Sequence, residues 1–113
     1  MDSRSRIERL NRELWQSYDG ARWAGDVAPL AFVIRAPTEG DATVLMERFR
    51  SRGCQIAWIK RKWWPSRRRW EIAAKNAESI ALTFEAIDRW ALDLQAELEP
   101  YGALLTHWVP AGA

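Results

Sequence analysis

The chain has 113 residues, a formal net charge of +2, 48% hydrophobic and 28% charged residues. That is enough for one domain with its own core, and no run approaches the roughly 18 consecutive apolar residues of a membrane span. A single cysteine, Cys54, excludes an internal disulfide and any zinc site built on cysteine pairs.

The first expected element is an amphipathic helix over residues 5–18, SRIERLNRELWQSY, with Ile7, Leu10, Leu14 and Tyr18 on one stripe. Ser5 and Glu8 have the spacing of a capping box, and Glu8 and Arg12 that of an i,i+4 ion pair. The segment is charged throughout and carries no apolar signal core, which reads as a cytoplasmic protein. A loop, DGARWAGDVAP, follows. Leu30–Arg35 is a short apolar run that reads as a strand. Thr38 then caps a helix, with Glu39 and Asp41 at its positive end. Its buried face is Ala42, Leu45, Met46 and Phe49, and Gly53 is its stop.

Gln55–Trp63 and Arg68–Lys75 read as the second and third strands. Asn76 is the expected cap of a long helix over roughly 77–98, striped by Ile80, Phe84, Ile87, Ala91, Leu94 and Leu98 and stopped by Pro100 and Gly102. Ala103–Val109 is the last strand, and the terminal PAGA is expected to fray. The order is a helix followed by β-α-β-β-α-β. That predicts an α+β, ferredoxin-like sandwich over residues 28–113, with a four-stranded antiparallel sheet and two helices on one face. Residues 1–27 form an N-terminal amphipathic helix and loop.

Strand alternation predicts the two faces. Leu30, Phe32, Ile34, Cys54, Ile56, Trp58, Trp70, Ile72 and Ala74 are expected under the helices. Ala31, Val33, Arg35, Ala57, Ile59, Arg61, Arg69, Glu71, Ala73 and Lys75 are expected on the other face, an apolar patch ringed by cations. For the last strand, either the set Leu104, Thr106, Trp108 or the set Leu105, His107, Val109 lies under the helices.

Charge is unevenly distributed. Residues 1–70 hold fifteen Lys/Arg and eight Asp/Glu, and residues 71–113 hold two and seven. The cationic part ends in KRKWWPSRRRW, residues 60–70. Its Lys60, Arg61, Lys62, Trp63, Trp64, Arg67, Arg68 and Arg69 are the candidate binding residues. Trp and Arg are the side chains most enriched at protein hot spots, so the hairpin fits an acidic protein partner or a second copy of the chain. The same cations could neutralise phosphates while Trp63 and Trp64 stack on unpaired bases, which fits RNA. The third strand, however, lacks the aromatic signature of an RNA-recognition motif. The plain alternative is a solvated turn at Pro65-Ser66 whose arginine stems cover the tryptophans. His107 is the single histidine, and no phosphate loop, nucleophilic triad or metal spacing accompanies it. The residues therefore predict a non-enzymatic chain with no cofactor.

The strand Trp70-Glu71-Ile72, the helix TFEAIDRWALDLQAELEP, Tyr101-Gly102 and the closing Trp108 resemble the regulator of ribonuclease E activity B family. Residues 42–56, ATVLMERFRSRGCQI, look like that family's first sheet-packed helix and the strand after it. The resemblance spans roughly residues 28–109. It implies a ferredoxin-like fold and a small bacterial cytoplasmic regulator that binds an RNA-degrading endonuclease. The chain departs from the family in its YGALLTHW ending, its basic first two-thirds and its KRKWWPSRRRW hairpin. Three functions follow. The first is a non-catalytic regulator that binds a protein, such as an RNA-processing nuclease, through the hairpin. The second is direct RNA binding through the hairpin and the open sheet. The third is a small enzyme of the dimeric ferredoxin-like-barrel type, in which His107 would be the haem or proton-relay candidate.

Overall fold

The structure, a computed structural model, describes residues 3–23, 25–64 and 67–111; for residues 61–64 and 67–69 only the backbone is described. The fold is mixed α+β, with three α-helices and two antiparallel sheets among the described residues. Helix α1 is Ser3–Ser17, and a 3₁₀ turn Gly20–Trp23 follows it. Strands β1 (Val27–Ala28) and β2 (Leu30–Ala36) lead to α2 (Glu39–Ser51). Strands β3 (Gln55–Trp64) and β4 (Arg67–Lys75) form the long hairpin. Then come β5 (Ile80–Ala81), α3 (Phe84–Leu98), a 3₁₀ turn Glu99–Tyr101 and β6 (Leu104–Pro110). No helix among the described residues is long and apolar enough to cross a membrane.

The main sheet has the order β3-β4-β2-β6, with every neighbouring pair antiparallel, and β1 and β5 form a separate two-stranded sheet. Phe32 on β2 meets Phe49 of α2 and Trp90 of α3 edge-on, so both helices cover one face. Between them lies the core of Leu30, Ile34, Leu45, Ile72, Ile87, Leu98, Leu105 and Trp108, all almost fully buried. Thr38 caps α2 as its sequence implies, accepting the Asp41 N–H at 3.1 Å. Gly53 follows α2 at φ +86°, where a Cβ would be strained.

Four local expectations are corrected. The third helix begins at Phe84, not near 77. Thr83 accepts the Ala86 N–H and caps it, because Ile80 and Ala81 are taken up in pairing with Ala28 and Val27. Tertiary pairing here overrides a helical stripe that continues through Ile80. Helix α1 is already formed at Ser3, so Ser5 lies inside it, and Glu8 meets Arg4 Nε at 3.0 Å instead of reaching back to Ser5. Pro110 belongs to β6, and the Ala111 N–H donates to the Pro29 carbonyl at 2.8 Å, so the start of the tail is anchored. Within the predicted loop, Trp23 is buried and Gly20 lies under the Trp15 ring, where an added Cβ would sit 2.3 Å from a ring carbon.

The fourth correction concerns faces. β3 carries an irregularity at Ala57: Ile56 pairs with Ala74, but Trp58 pairs with Ala73. One extra residue exchanges the faces of everything after it. Trp58 therefore leaves the helix-covered face and joins Ala73 and Val33 on the opposite one, while Ile59 falls opposite Ile72. β6 makes the same move at Thr106. Val33 pairs with His107 but Ile34 pairs with Leu105. That resolves the ambiguity of the last strand: Leu105 and Trp108 both go inside, and His107 goes to the open face.

Candidate functional site: two sheet edges and an open face

α1 does not lie across the open face. It packs along α3 and the outer side of β6, joined there by a buried polar chain. Asn11, fully buried, accepts the Trp108 Nε1–H at 2.8 Å and donates to Asp88 of α3 at 2.8 Å. Gln95, also buried, accepts the Leu105 N–H at 2.9 Å and donates to the Ala103 carbonyl at 3.1 Å. Arg6 donates to the Leu105 carbonyl at 3.0 Å and to Gln95 Oε1 at 2.9 Å. Leu105 sits at a position of β6 whose N–H and C=O point away from β2. Gln95 and Arg6 thus supply the partners that another strand would. Burial, and secondarily the neighbouring Arg35 charge, lowers the Arg6 pKa. Its Nε and that of Arg35 are buried without an acceptor.

Tyr18, at the end of α1, reaches around this edge to the open face. Its hydroxyl and His107 Nε2 are 2.6 Å apart in a hydrogen bond. Burial lowers the His107 pKa, which favours the neutral imidazole. Trp15, Trp23 and Trp108 gather around this latch in edge and tilted contacts with one another and with Tyr18. Several of the tryptophans are therefore structural. His107 is held by a tyrosine, and among the described residues no group of three or more His, Cys, Asp or Glu side chains could hold a metal.

The open face has a cationic row and an apolar row. In register across the sheet run Lys60, Glu71, Arg35 and Leu104, then Trp58, Ala73, Val33 and His107. The alternation anticipates Glu71 on this face beside cations, whereas its burial is not legible from sequence. A hollow of about 340 Å³ opens beside Trp58, floored by Val33 and Ala73 and bounded by Lys75 and His107. On the helix side a second hollow, of about 520 Å³, lies between α2 and α3. Cys54, Trp90 and the Arg52–Glu97 ion pair line it, and burial raises the Cys54 pKa. A thiol so shifted is a weak nucleophile.

β3 is the other edge of the sheet. Trp58 is 43% exposed and Ile59 39%, adjacent in the chain and on opposite faces. Among the described residues no side chain or loop backbone is bonded to the outer groups of β3 between Gln55 and Lys60. Sequence reasoning missed these two as a pair because it placed Trp58 under the helices and Ile59 on the open face, the reverse of where the irregularity at Ala57 puts them. The only available signal was Ala57, a small residue where an extra position fits.

The predicted hairpin is present in the backbone. β2 pairs with β4 only as far as Trp70, whereas β3 and β4 continue through Lys62↔Arg69, Trp63↔Arg68 and Trp64↔Arg67. The cations therefore lie on a two-stranded ribbon that extends past the sheet. Lys60 is exposed at its base. The Pro65-Ser66 turn and the side chains of Arg61, Lys62, Trp63, Trp64, Arg67, Arg68 and Arg69 lie outside the described residues. Arg61, expected on the open face, has its backbone opposite Trp70, and Lys60 takes the place opposite Glu71. The face exchange at Ala57 is the reason. Compared with known proteins, the chain matches no family model, no curated protein and no solved structure.

Proposed function

We propose that the chain is a non-catalytic regulatory domain that binds a protein partner through the β3–β4 ribbon and the adjoining surface of β3. The observation that carries this reading is the exposed Trp58–Ile59 pair at the foot of a cationic ribbon. An apolar centre next to Arg and Trp is the composition of a hot spot. The sheet order β3-β4-β2-β6, with α2 and α3 on one face, supports a ferredoxin-like β-α-β-β-α-β unit to which α1 is added. The likeness of residues 28–109 to regulators of ribonuclease E supports an RNA-degrading endonuclease as the partner class and a cytoplasmic setting. The engagement of His107 by Tyr18 and the raised Cys54 pKa weigh against enzyme chemistry at either residue.

RNA is the second reading, favoured by one observation. A two-stranded basic ribbon that projects from a sheet is a shape that follows a phosphate backbone. The test is capture from lysate by the tagged chain, with and without nuclease. The same capture is run with a variant in which Arg67, Arg68 and Arg69 are alanine. Retention of one protein at fixed stoichiometry after digestion, and its loss in the variant, is the expected result. Loss of everything captured on digestion, with affinity for RNA falling about 10³-fold or more between 50 and 200 mM salt, would replace this reading with the second.

A further inference from the structure

We propose that the outer edge of β3, from Trp58 to Lys62, is a strand-addition site for an extended acidic segment of a partner protein. The inference rests on the protein-binding reading above and specifies its mode.

The two sheet edges are treated differently. At β6 the outward backbone groups of Leu105 are bonded by Gln95 and Arg6, and α1 lies alongside. β3 is longer, Gln55–Trp64, and has no such partners among the described residues up to Lys60. An unpaired edge is a template for another strand. Trp58 and Ile59 stand on opposite faces of that edge, both exposed. A strand laid about 4.8 Å away would place a residue beside each of them, and so cover both faces of the edge at once. A small-molecule ligand or a helix would cover one face only.

Charge chooses the occupant. Lys60, Arg61 and Lys62 follow the apolar pair along the same strand. A second copy of the chain would bring a second Lys60–Lys62 run to the edge, and edge cations disfavour such self-pairing. A polynucleotide could meet the cations, but its backbone has no alternating N–H and C=O groups and cannot continue the ladder of β3. An acidic peptide supplies donors, acceptors and opposite charge together. Its side chains opposite Trp58 and Ile59 would be apolar, and those opposite Lys60, Arg61 and Lys62 acidic. The bulge at Ala57 interrupts the regular spacing of the strand and sets one end of the ladder.

The probe is a short capped peptide with adjacent valines followed by adjacent glutamates, made in both chain directions. Each is also made in two isomers N-methylated at alternate positions, one isomer per peptide edge. Binding to the full-length chain is followed by amide shifts and hydrogen exchange. For one direction we expect saturable binding, slowed exchange in β3 and no change in β6. One N-methylated isomer should bind about tenfold or more weakly, and the other like the parent, because only one edge of the peptide faces β3. Ile59→Lys should weaken the parent peptide while the circular dichroism spectrum stays unchanged. Equal binding of both isomers would reduce the contact to charge attraction and overturn strand addition. So would absence of binding at millimolar peptide, or protection of β3 together with a dimer mass when the chain alone is concentrated. Oligouridylate shifting the β3 amides where the peptide does not would overturn it as well, together with the protein-binding reading. A nuclease-resistant partner that leaves β3 exchange unaltered would remove the edge mode alone.

Discussion

The two edges of the sheet are one chemical problem with two outcomes. Both β3 and β6 end the main sheet and carry a row of outward N–H and C=O groups. At β6 the outward groups of Leu105 are met by Gln95 and Arg6, and the nearby Trp108 side chain is tied to Asn11. At β3 the same groups face out, beside an exposed tryptophan and isoleucine. Buried polar groups without partners are costly, so the β6 edge had to be satisfied once α1 covered it. The β3 edge is open to water, which can supply its partners. α1 is thus part of the sheet's closure on one side, and no element of the described chain performs that closure on the other.

The largest effect is expected at Trp108, which is fully buried where α1, the 3₁₀ turn and β6 meet. Trp108→Ala should cost about 3–5 kcal/mol in urea unfolding. A cost below about 1 kcal/mol would mean that α1 is not docked as described. Next is Gln95→Leu, which strips the Leu105 N–H and the Ala103 carbonyl of their partner. The expected loss is about 1–3 kcal/mol per group left unsatisfied. Exchange of the Leu105 amide should speed up selectively, while β3 amides stay as in the wild type.

Smaller effects belong to the Tyr18–His107 latch. Tyr18→Phe should destabilise by about 0.5–1.5 kcal/mol. The pH dependence has a definite sign. Burial holds the folded-state pKa of His107 below its ordinary value of 6.5. The unfolded chain therefore takes up the proton first. The contribution is fully present above pH 6.5 and is lost as the pH falls through the lower folded value. Unfolding midpoints measured from pH 7.5 downward should decline over that window, and His107→Gln should flatten the decline. A midpoint that rises on acidification in the wild type alone would contradict this assignment.

The smallest stability effect is expected at the other edge. Trp58→Ser and Ile59→Thr should each change stability by about 0.5 kcal/mol or less, because neither side chain is buried. They should nonetheless abolish partner capture. A large destabilisation from either would show that the β3 edge is structural after all.

Much of this was legible locally. The stripe of Ile87, Ala91, Leu94 and Leu98 required an amphipathic helix, and burial follows that stripe. Thr38, Asp41 and Gly53 bounded α2 by capping chemistry that depends on a few adjacent residues. The alternating run Leu30, Phe32, Ile34 put β2 in the sheet with the correct side inward. The α+β class follows from these periodicities, and the ribbon from its paired strands.

Local sequence therefore sets each element whose cause lies within about one turn or one strand: its period, its caps and its charge. Tertiary structure alone decided the rest. The single extra residues at Ala57 and Thr106 exchanged faces and moved Trp58 outward, and only a neighbouring strand defines an extra residue. Pairing with β1 shortened α3 at its start, although Ile80 keeps the helical spacing. Docking of α1 turned Asn11, an ordinary polar residue in a polar helix, into a fully buried link between Trp108 and Asp88. Each of these depends on contacts across tens of residues, and local propensities of a few tenths of a kcal/mol yield to such contacts.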